Sequence, residues 1–444
     1  MMDHDSVQKA LETRTIDHVA VLGANGTMGF GSAALFTQAV PKVTFLARTE
    51  DKAKDGLASA IKQVRSDSVA SRSATAGYDD LESVIADADI IFEAVAEDPA
   101  IKKPLFERVD AARRADSIVA TVSSGLSINE LCADRSESFR QHFCGLHFFN
   151  PPNVITGTEL IGNTETDPAV LDFLEAFSRV RLGREIIRTN DTAAFAGNRV
   201  GFKVLNEAAQ MAEVMSPLVV DSLIGPYTGR ALTPLATIDL VGWDVHRAIV
   251  DNVCDKTTDE AIDTLKLPGY MADMMDKGVL GNKSGGGFFK KGDDGRMVLD
   301  TPTGLYESVD SIKMPDMSHV EPVVKAYAEG RYREGMAALI LADGDAAKMT
   351  RKVVAGYISY AFHRVGEVTE TIDGIDRIMA TGFNWAPPSL LVDTMGPAAA
   401  VKIMEEASIP VPEAIGTAAK NADAAPFFTQ KRLNPGRYFV AAAA

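Results

Sequence analysis

Gly23, Gly26 and Gly29 stand in "AVLGANGTMGFGSAALF", residues 20 to 36, with the spacing G-x-x-G-x-x-G. An apolar run, "HVAVLG", feeds into the first glycine and "GFGSAALFTQA" opens a helix after the last. A glycine turn between a strand and a helix lets backbone N–H groups and the helix dipole meet a pyrophosphate. Gly23, Gly26, Thr27, Met28 and Gly29 are therefore the candidate cofactor-binding turn, although the common dinucleotide spacing, G-x-G-x-x-G, is one residue shorter. About twenty residues on, an NAD site carries a carboxylate for the adenosine ribose. Here the second strand ends "VTFLART", with Ala47 at that position and Arg48 and Thr49 after it. A guanidinium there suits a 2′-phosphate, which favours NADP. Glu50 and Asp51 keep NAD open if the strand ends later, and Arg48 as a solvated helix-start residue is the plainer alternative. His147 closes an apolar strand, "CGLHFFN", where an imidazole is costly unless its nitrogens are satisfied. Imidazole, with a reference pKa of about 6.5, is suited to take a proton at neutral pH.

The elements that must position these groups alternate. "HVAVLG", "KVTFLAR", "ADIIFEAVA", "SIVATVSS" and "CGLHFFN" read as strands separated by helical patterns, a βαβ rhythm that implies a parallel sheet with helices on both faces. Beyond residue 190 the strand signals stop and helical periodicity takes over. Within that half, "PLATIDLVG" (Pro234, Asp239, Gly242) recurs with the same internal spacing as "PSLLVDTMG" (Pro388, Asp393, Gly396). Each follows a long helical segment with a glutamate, Glu207 or Glu367, as expected of a weakly preserved duplication. A glycine-rich turn, Gly281 to Gly295, separates the copies. The expected fold is an α/β Rossmann-like parallel-sheet domain, residues 1–190, followed by an all-α, internally duplicated region, 191–292 and 293–444. The last four alanines are expected to fray.

The stretches "IFEAVAEDPAIKKPLF", "VSSGLSINEL", "GLHFFNPPNVITGTELI" and "DTAAFAGNR", in this order, resemble the L-3-hydroxyacyl-CoA dehydrogenase family from about residue 16 to 290. A degenerate second copy of the family's C-terminal domain is expected to follow, and the hydratase module found in some members is not expected. The resemblance implies oxidation of 3-hydroxyacyl-CoA to 3-ketoacyl-CoA, or the reverse, with NAD or NADP. It makes His147 the catalytic histidine and Glu159, twelve residues on, the carboxylate that fixes its tautomer and steadies the imidazolium. Ser124 and Asn198 match the residues that hold the substrate oxygen. Glu97 and Lys102, with Glu93, match positions facing the nicotinamide half of the cofactor. The family's S-N-T-S-S-L reads "TVSSGL" here, so Val122 and Gly125 replace an asparagine and a serine and thin the donors beside Ser124. Ser124 as a plain turn residue, and Lys102 with Lys103 as solvated charges, are the alternatives. The family often dimerises through its helical domain, so a second copy in one chain makes either a monomer that mimics a dimer or a homodimer.

The 444 residues are 46% apolar and 24% charged, which suits a soluble protein of two or three domains. A net charge of −16 disfavours nucleic acid and anionic membranes as partners. No run of about twenty apolar residues and no leader-like start is evident, so a cytoplasmic location is expected. Cys132, Cys144 and Cys254 are isolated thiols, and the seven histidines lack ligand spacing, so no metal is expected. Two other readings remain: a dehydrogenase of a small hydroxy acid without CoA on the same scaffold, and a non-catalytic dinucleotide-binding sensor.

Overall fold

His18–Leu22 (β1) is buried along its whole length, as a central parallel strand covered on both faces must be. The strands after it are Lys42–Ala47 (β2), Ser73–Gly77 (β3), Ile90–Glu93 (β4), Ile118–Thr121 (β5), Phe143–Phe148 (β6), Gly157–Gly162 (β7) and Glu185–Thr189 (β8). They form one sheet in the order β3-β2-β1-β4-β5-β6-β7-β8. Neighbours run parallel except β6 and β7, which are antiparallel. Alternate residues feed opposite faces, as the period of a strand requires. Val19, Val21, Phe36, Phe92 and Phe148 pack on one side, and Ala20, Leu22, Phe106, Phe139 and Phe143 on the other. The strand order reverses between β1 and β4, and such a switch point opens a crevice at the carboxyl ends of the strands.

This computed structural model describes residues 2–293, 295–430, 433–434 and 436–439, so the terminal alanines expected to fray lie outside the described residues. The chain divides into two compact units, Met1–Ala196 and Gly197–Ala444. Three strands of the sheet differ from the sequence reading. β3, "SATAG", has no large apolar residue to mark it. β7, "GTELIG", carries a charged residue in a buried strand. β8, "EIIRT", holds only two apolar residues in a row.

The second unit is mainly helical, with Gly197–Met211 (α1), Pro234–Val241 (α2), Asp345–His363 (α3) and Pro388–Met395 (α4) carrying the repeated features. Asp239 of α2 accepts from the N–H groups of Phe288 and Phe289, both at 2.9 Å. Asp393 of α4 accepts likewise from Phe427 and Phe428, at 3.1 and 2.8 Å. Each helix ends at a glycine with positive φ, Gly242 at 104° and Gly396 at 86°. Two differences from the sequence reading follow. Glu207 lies within α1, but Glu367 lies beyond the end of α3. The strands also do not stop at residue 190. Phe289–Gly292 (β9), Gly295–Asp300 (β10) and Leu305–Ser308 (β11) form a small antiparallel sheet, so a border at 292/293 would cut a hairpin. The preceding glycines pack tightly, since a Cβ on Gly287 would stand 1.9 Å from the Asp239 carboxylate.

Candidate active site

His147 and Glu159 face each other directly in the antiparallel register of β6 and β7. Side chains opposite each other on one face meet, and His147 Nδ1 lies 2.7 Å from Glu159 Oε2. Glu159 is wholly buried and its other oxygen accepts from the Ala196 N–H at 2.9 Å. Both carboxylate oxygens are therefore satisfied, which is what lets a charge stay inside the sheet. Phe149 and Phe195 stand beside the imidazole, with ring centroids 4.9 and 5.8 Å away. The free ring nitrogen, Nε2, has no hydrogen-bond partner among the described residues. The pair thus offers a single proton-accepting position, with its tautomer set from behind.

A second carboxylate network lies at the ends of β4 and β5. Glu93 is wholly buried, and the equally buried Lys102 donates to both its oxygens, at 2.7 and 2.8 Å. Thr121 Oγ1 adds a bond at 2.6 Å. Lys102 also reaches Glu97 at 3.4 Å, so its ammonium is a buried bridge between two carboxylates. Glu97 Oε1 accepts from the Ser123 hydroxyl at 2.6 Å and from the Ser124 and Gly125 N–H groups at 2.8 and 3.1 Å. Burial pushes the Glu97 carboxyl upward, but Lys102 and these three donors outweigh it and hold it below the usual carboxylate range. The loop's polar groups are thereby locked onto Glu97, and the Ser124 hydroxyl has no protein partner among the described residues. Parallel register sets Thr121 beside Gly145. Ser123 lies just past the carboxyl end of β5, and His147 lies near the carboxyl end of the adjacent β6.

The glycine turn divides its tasks. Gly23 has φ +74°, and a Cβ there would stand 2.5 Å from the Ala94 carbonyl oxygen. A Cβ on Gly29 would lie 2.1 Å from the Gly23 oxygen. Both are bare because backbone passes against them. Gly26 is exposed, and its Cβ would meet nothing closer than 3.6 Å, so its bareness leaves space on the ligand side. It caps the helix Thr27–Phe36, whose first-turn N–H groups, from Thr27 and Met28 onward, provide the anion-binding end. The Tyr78 hydroxyl, pushed up to about 12 by burial, accepts from the Gly23 N–H at 3.0 Å and fixes the turn.

The end of β2 at Ala47 places Arg48 in the loop, exposed and without an ion-pair partner among the described residues. Glu50 and Asp51 belong to the first turn of the next helix, Glu50–Val64, where Lys54 lies 3.1 and 3.7 Å from them. These residues fit a nicotinamide dinucleotide: a bare turn under a helix start, and a cation where the ribose end would lie.

Two features escaped the sequence reading. Asp191 accepts from Ser127 Oγ, the Ile128 N–H and both nitrogens of Asn129, tying the loop after β5 to the segment that follows β8. Ala194 and Phe195 hold positive φ, 61° and 51°, a strained conformation for residues with side chains. That kink delivers the Ala196 N–H to Glu159, and nothing in "DTAAFAGNR" short of a contact map foretells it. Asn198 belongs to the second unit, buried in the first turn of α1. The next residue, Arg199, donates to Asp259 and to the Tyr360 hydroxyl, both at 2.6 Å, and lies 3.0 Å from Glu367.

Residues 18–192 match the NAD-binding domain of 3-hydroxyacyl-CoA dehydrogenase, and residues 195–291 match the C-terminal domain of the same enzymes. The chain belongs to the 3-hydroxyacyl-CoA dehydrogenase family. Two relatives, each described as a probable 3-hydroxyacyl-CoA dehydrogenase, are 34% identical to it. The Bacillus subtilis protein aligns over 69% of this chain and 38% of its own length, and the Deinococcus radiodurans protein over 49% and 62%. The chain thus spans less than two thirds of either relative. The crystal structure of 3-hydroxybutyryl-CoA dehydrogenase from Escherichia coli K12 shares the fold across 92% of this chain and 99% of that one, with a TM-score of 0.67 and 19% identity. Residues 292–444 fall outside both matched family domains, but the likeness in fold extends into them.

Proposed function

We propose that this member of the family interconverts 3-hydroxyacyl-CoA and 3-ketoacyl-CoA, with a preference for NADP over NAD. The observation that carries the reading is the His147–Glu159 pair, which leaves one imidazole nitrogen free at the carboxyl end of the sheet. In the oxidative direction Nε2 of His147 takes the hydroxyl proton, and Glu159 stabilises the imidazolium that forms. The bound dinucleotide supplies the hydride acceptor for the carbinol carbon. The resemblance assigns Ser124 and, separately, Asn198 to the substrate oxygen, and Glu97 keeps the Ser124 loop fixed through three hydrogen bonds. Lys102 acts behind Glu97 and Glu93 rather than at the ligand. The NADP preference rests on Ala47 ending β2 and on Arg48 standing without an ion-pair partner among the described residues.

In this reading the second helical copy, residues 293–444, takes the place of the second subunit through which the resemblance implies dimerisation. Arg199 supports this, since it bonds Asp259 of the first copy together with Tyr360 and Glu367 of the second. A chain built in this way works as a monomer.

The test is an absorbance assay of purified protein with acetoacetyl-CoA and each reduced cofactor. Turnover that is faster with NADPH is expected. A sensor would bind the dinucleotide but turn over no ketoacyl-CoA of any chain length, and a dehydrogenase of free hydroxy acids would act only on substrates without CoA.

A further inference from the structure

The helical unit holds a cavity of about 610 Å³ whose lining includes Lys203, Glu207 and Met211 from α1 and Gly356 and Tyr360 from α3. A second cavity of about 560 Å³ shares Met215 and Met349 with it and continues past Val219 and Leu223 to Met314. The first alone lies within the size range of small-molecule sites. Thioethers line the junction, and methionine is the side chain best able to repack around flexible aliphatic groups.

One end is polar and built. Lys203 is 5% exposed and gives one bond, to Glu207 Oε2 at 2.7 Å. An ammonium carries three donors, and the other two have no partner among the described residues. Gly356 makes room for it, since a Cβ there would stand 2.9 Å from Lys203 Nζ. A buried donor left unmet is costly, so this end favours an oxygen acceptor. Glu207 already balances one charge, so the acceptor belongs to a group that is neutral or carries at most a single charge, and not to a polyphosphate. The other charged groups on the cavity are Glu260 and Lys352, the latter exposed at the mouth.

We propose that this cavity binds an aliphatic acyl chain, its carbonyl or carboxyl oxygen on the Lys203 ammonium and its methylenes along Met211, Met215 and Met349. The same chemistry is offered by a free fatty acid and by the chain of an acyl thioester. None of these residues belongs to the dehydrogenase site, so the site stands whether or not the proposed reaction does.

Calorimetry on the full chain tests it, with octanoate, decanoate, dodecanoate, dodecanoyl-CoA and CoA alone. Burial of each added methylene is expected to tighten binding about fourfold. Met349→Trp, which fills the junction, and the charge-balanced double variant Lys203→Met/Glu207→Gln are each expected to weaken dodecanoate binding about tenfold or more. Thermal melting followed by circular dichroism on the same variants reports that they fold. Weakening for both dodecanoate and its CoA thioester assigns a general fatty-chain site, and weakening for the thioester alone assigns the chain of a substrate. Affinity that is independent of chain length, or that neither variant changes, overturns the proposal.

Discussion

Arg48 and Glu97 carry the proposed division between cofactor choice and substrate positioning at the scale of single residues. Arg48 follows Ala47, which stands where a ribose carboxylate would stand in an NAD site, and its nearest acidic neighbours in sequence are already beside Lys54. Arg48→Ala is therefore expected to weaken NADPH binding about tenfold while sparing NADH, reversing the order of the two dissociation constants. Wild-type protein that binds NADH more tightly would refute the assignment. Glu97→Gln weakens the clamp on the Ser123–Gly125 loop without touching the turn, so KM for ketoacyl-CoA is expected to rise about tenfold with NADPH affinity kept. Equal losses in both affinities would instead mark Glu97 as a cofactor contact. That the His147 nitrogens must be satisfied was legible from its own strand, because a histidine ending an apolar run needs a polar explanation, whereas its catalytic reading came with the resemblance. Its partner came from the resemblance, since no periodicity connects residues twelve apart in different strands. Asp191 was not legible, because an aspartate in a loop has no pattern until the fold brings four donors to it.

At the scale of elements, the wide-set glycines are explained by what each one meets. Gly23 and Gly29 face backbone and Gly26 faces open space, so the extra residue lies between the turn glycine and the helix start and leaves the packing glycine in place. Gly29→Ala forces a Cβ against the Gly23 carbonyl and is expected to cost about 3 kcal/mol of stability, read as a lowered denaturation midpoint. Gly26→Ala is expected to melt like the wild type but to bind dinucleotide about tenfold more weakly, because it fills only the ligand side. The reverse pattern would show that the two glycines have exchanged roles. The strands that end in this site, β1, β4, β5 and β6, were legible as apolar runs. β7 was not, because Glu159 breaks the pattern by which buried strands are recognised. The hairpin β9–β10 escaped because the glycines before it read as a linker, whereas Gly281 and Gly287 are packing positions against Asp239.

The whole molecule carries its duplication as chemistry, in paired aspartates more than in sequence identity. Asp239 and Asp393 cap matching phenylalanine pairs, and Asp221 and Asp376 sit at the starts of the matching helices α2 and α4. Burial pushes Asp221 up to about 6 and Asp376 up to about 7, against the pull of their hydroxyl and N–H donors. A carboxyl raised on folding binds its proton more tightly in the folded chain. Its contribution to stability is therefore fully present below about pH 4, is lost as pH rises through the raised values, and is constant above about 8. Asp376→Asn removes that slope, so urea unfolding is expected to show the variant gaining on the wild type between about pH 4 and 7. A difference that does not change with pH would contradict the buried-acid account. The repeat spacing of Pro, Asp and Gly made the duplication legible, while the displacement of Glu367 beyond α3 shows how far the second copy has drifted. Among the described residues no helix is long and apolar enough to cross a membrane.

The account turns on one imidazole, and the most direct measurement is the steady-state kinetics of His147→Gln with acetoacetyl-CoA, run beside its NADPH dissociation constant. Turnover is predicted to fall about 10²- to 10⁴-fold with cofactor affinity unchanged within about twofold. Turnover equal to that of the wild type would contradict it.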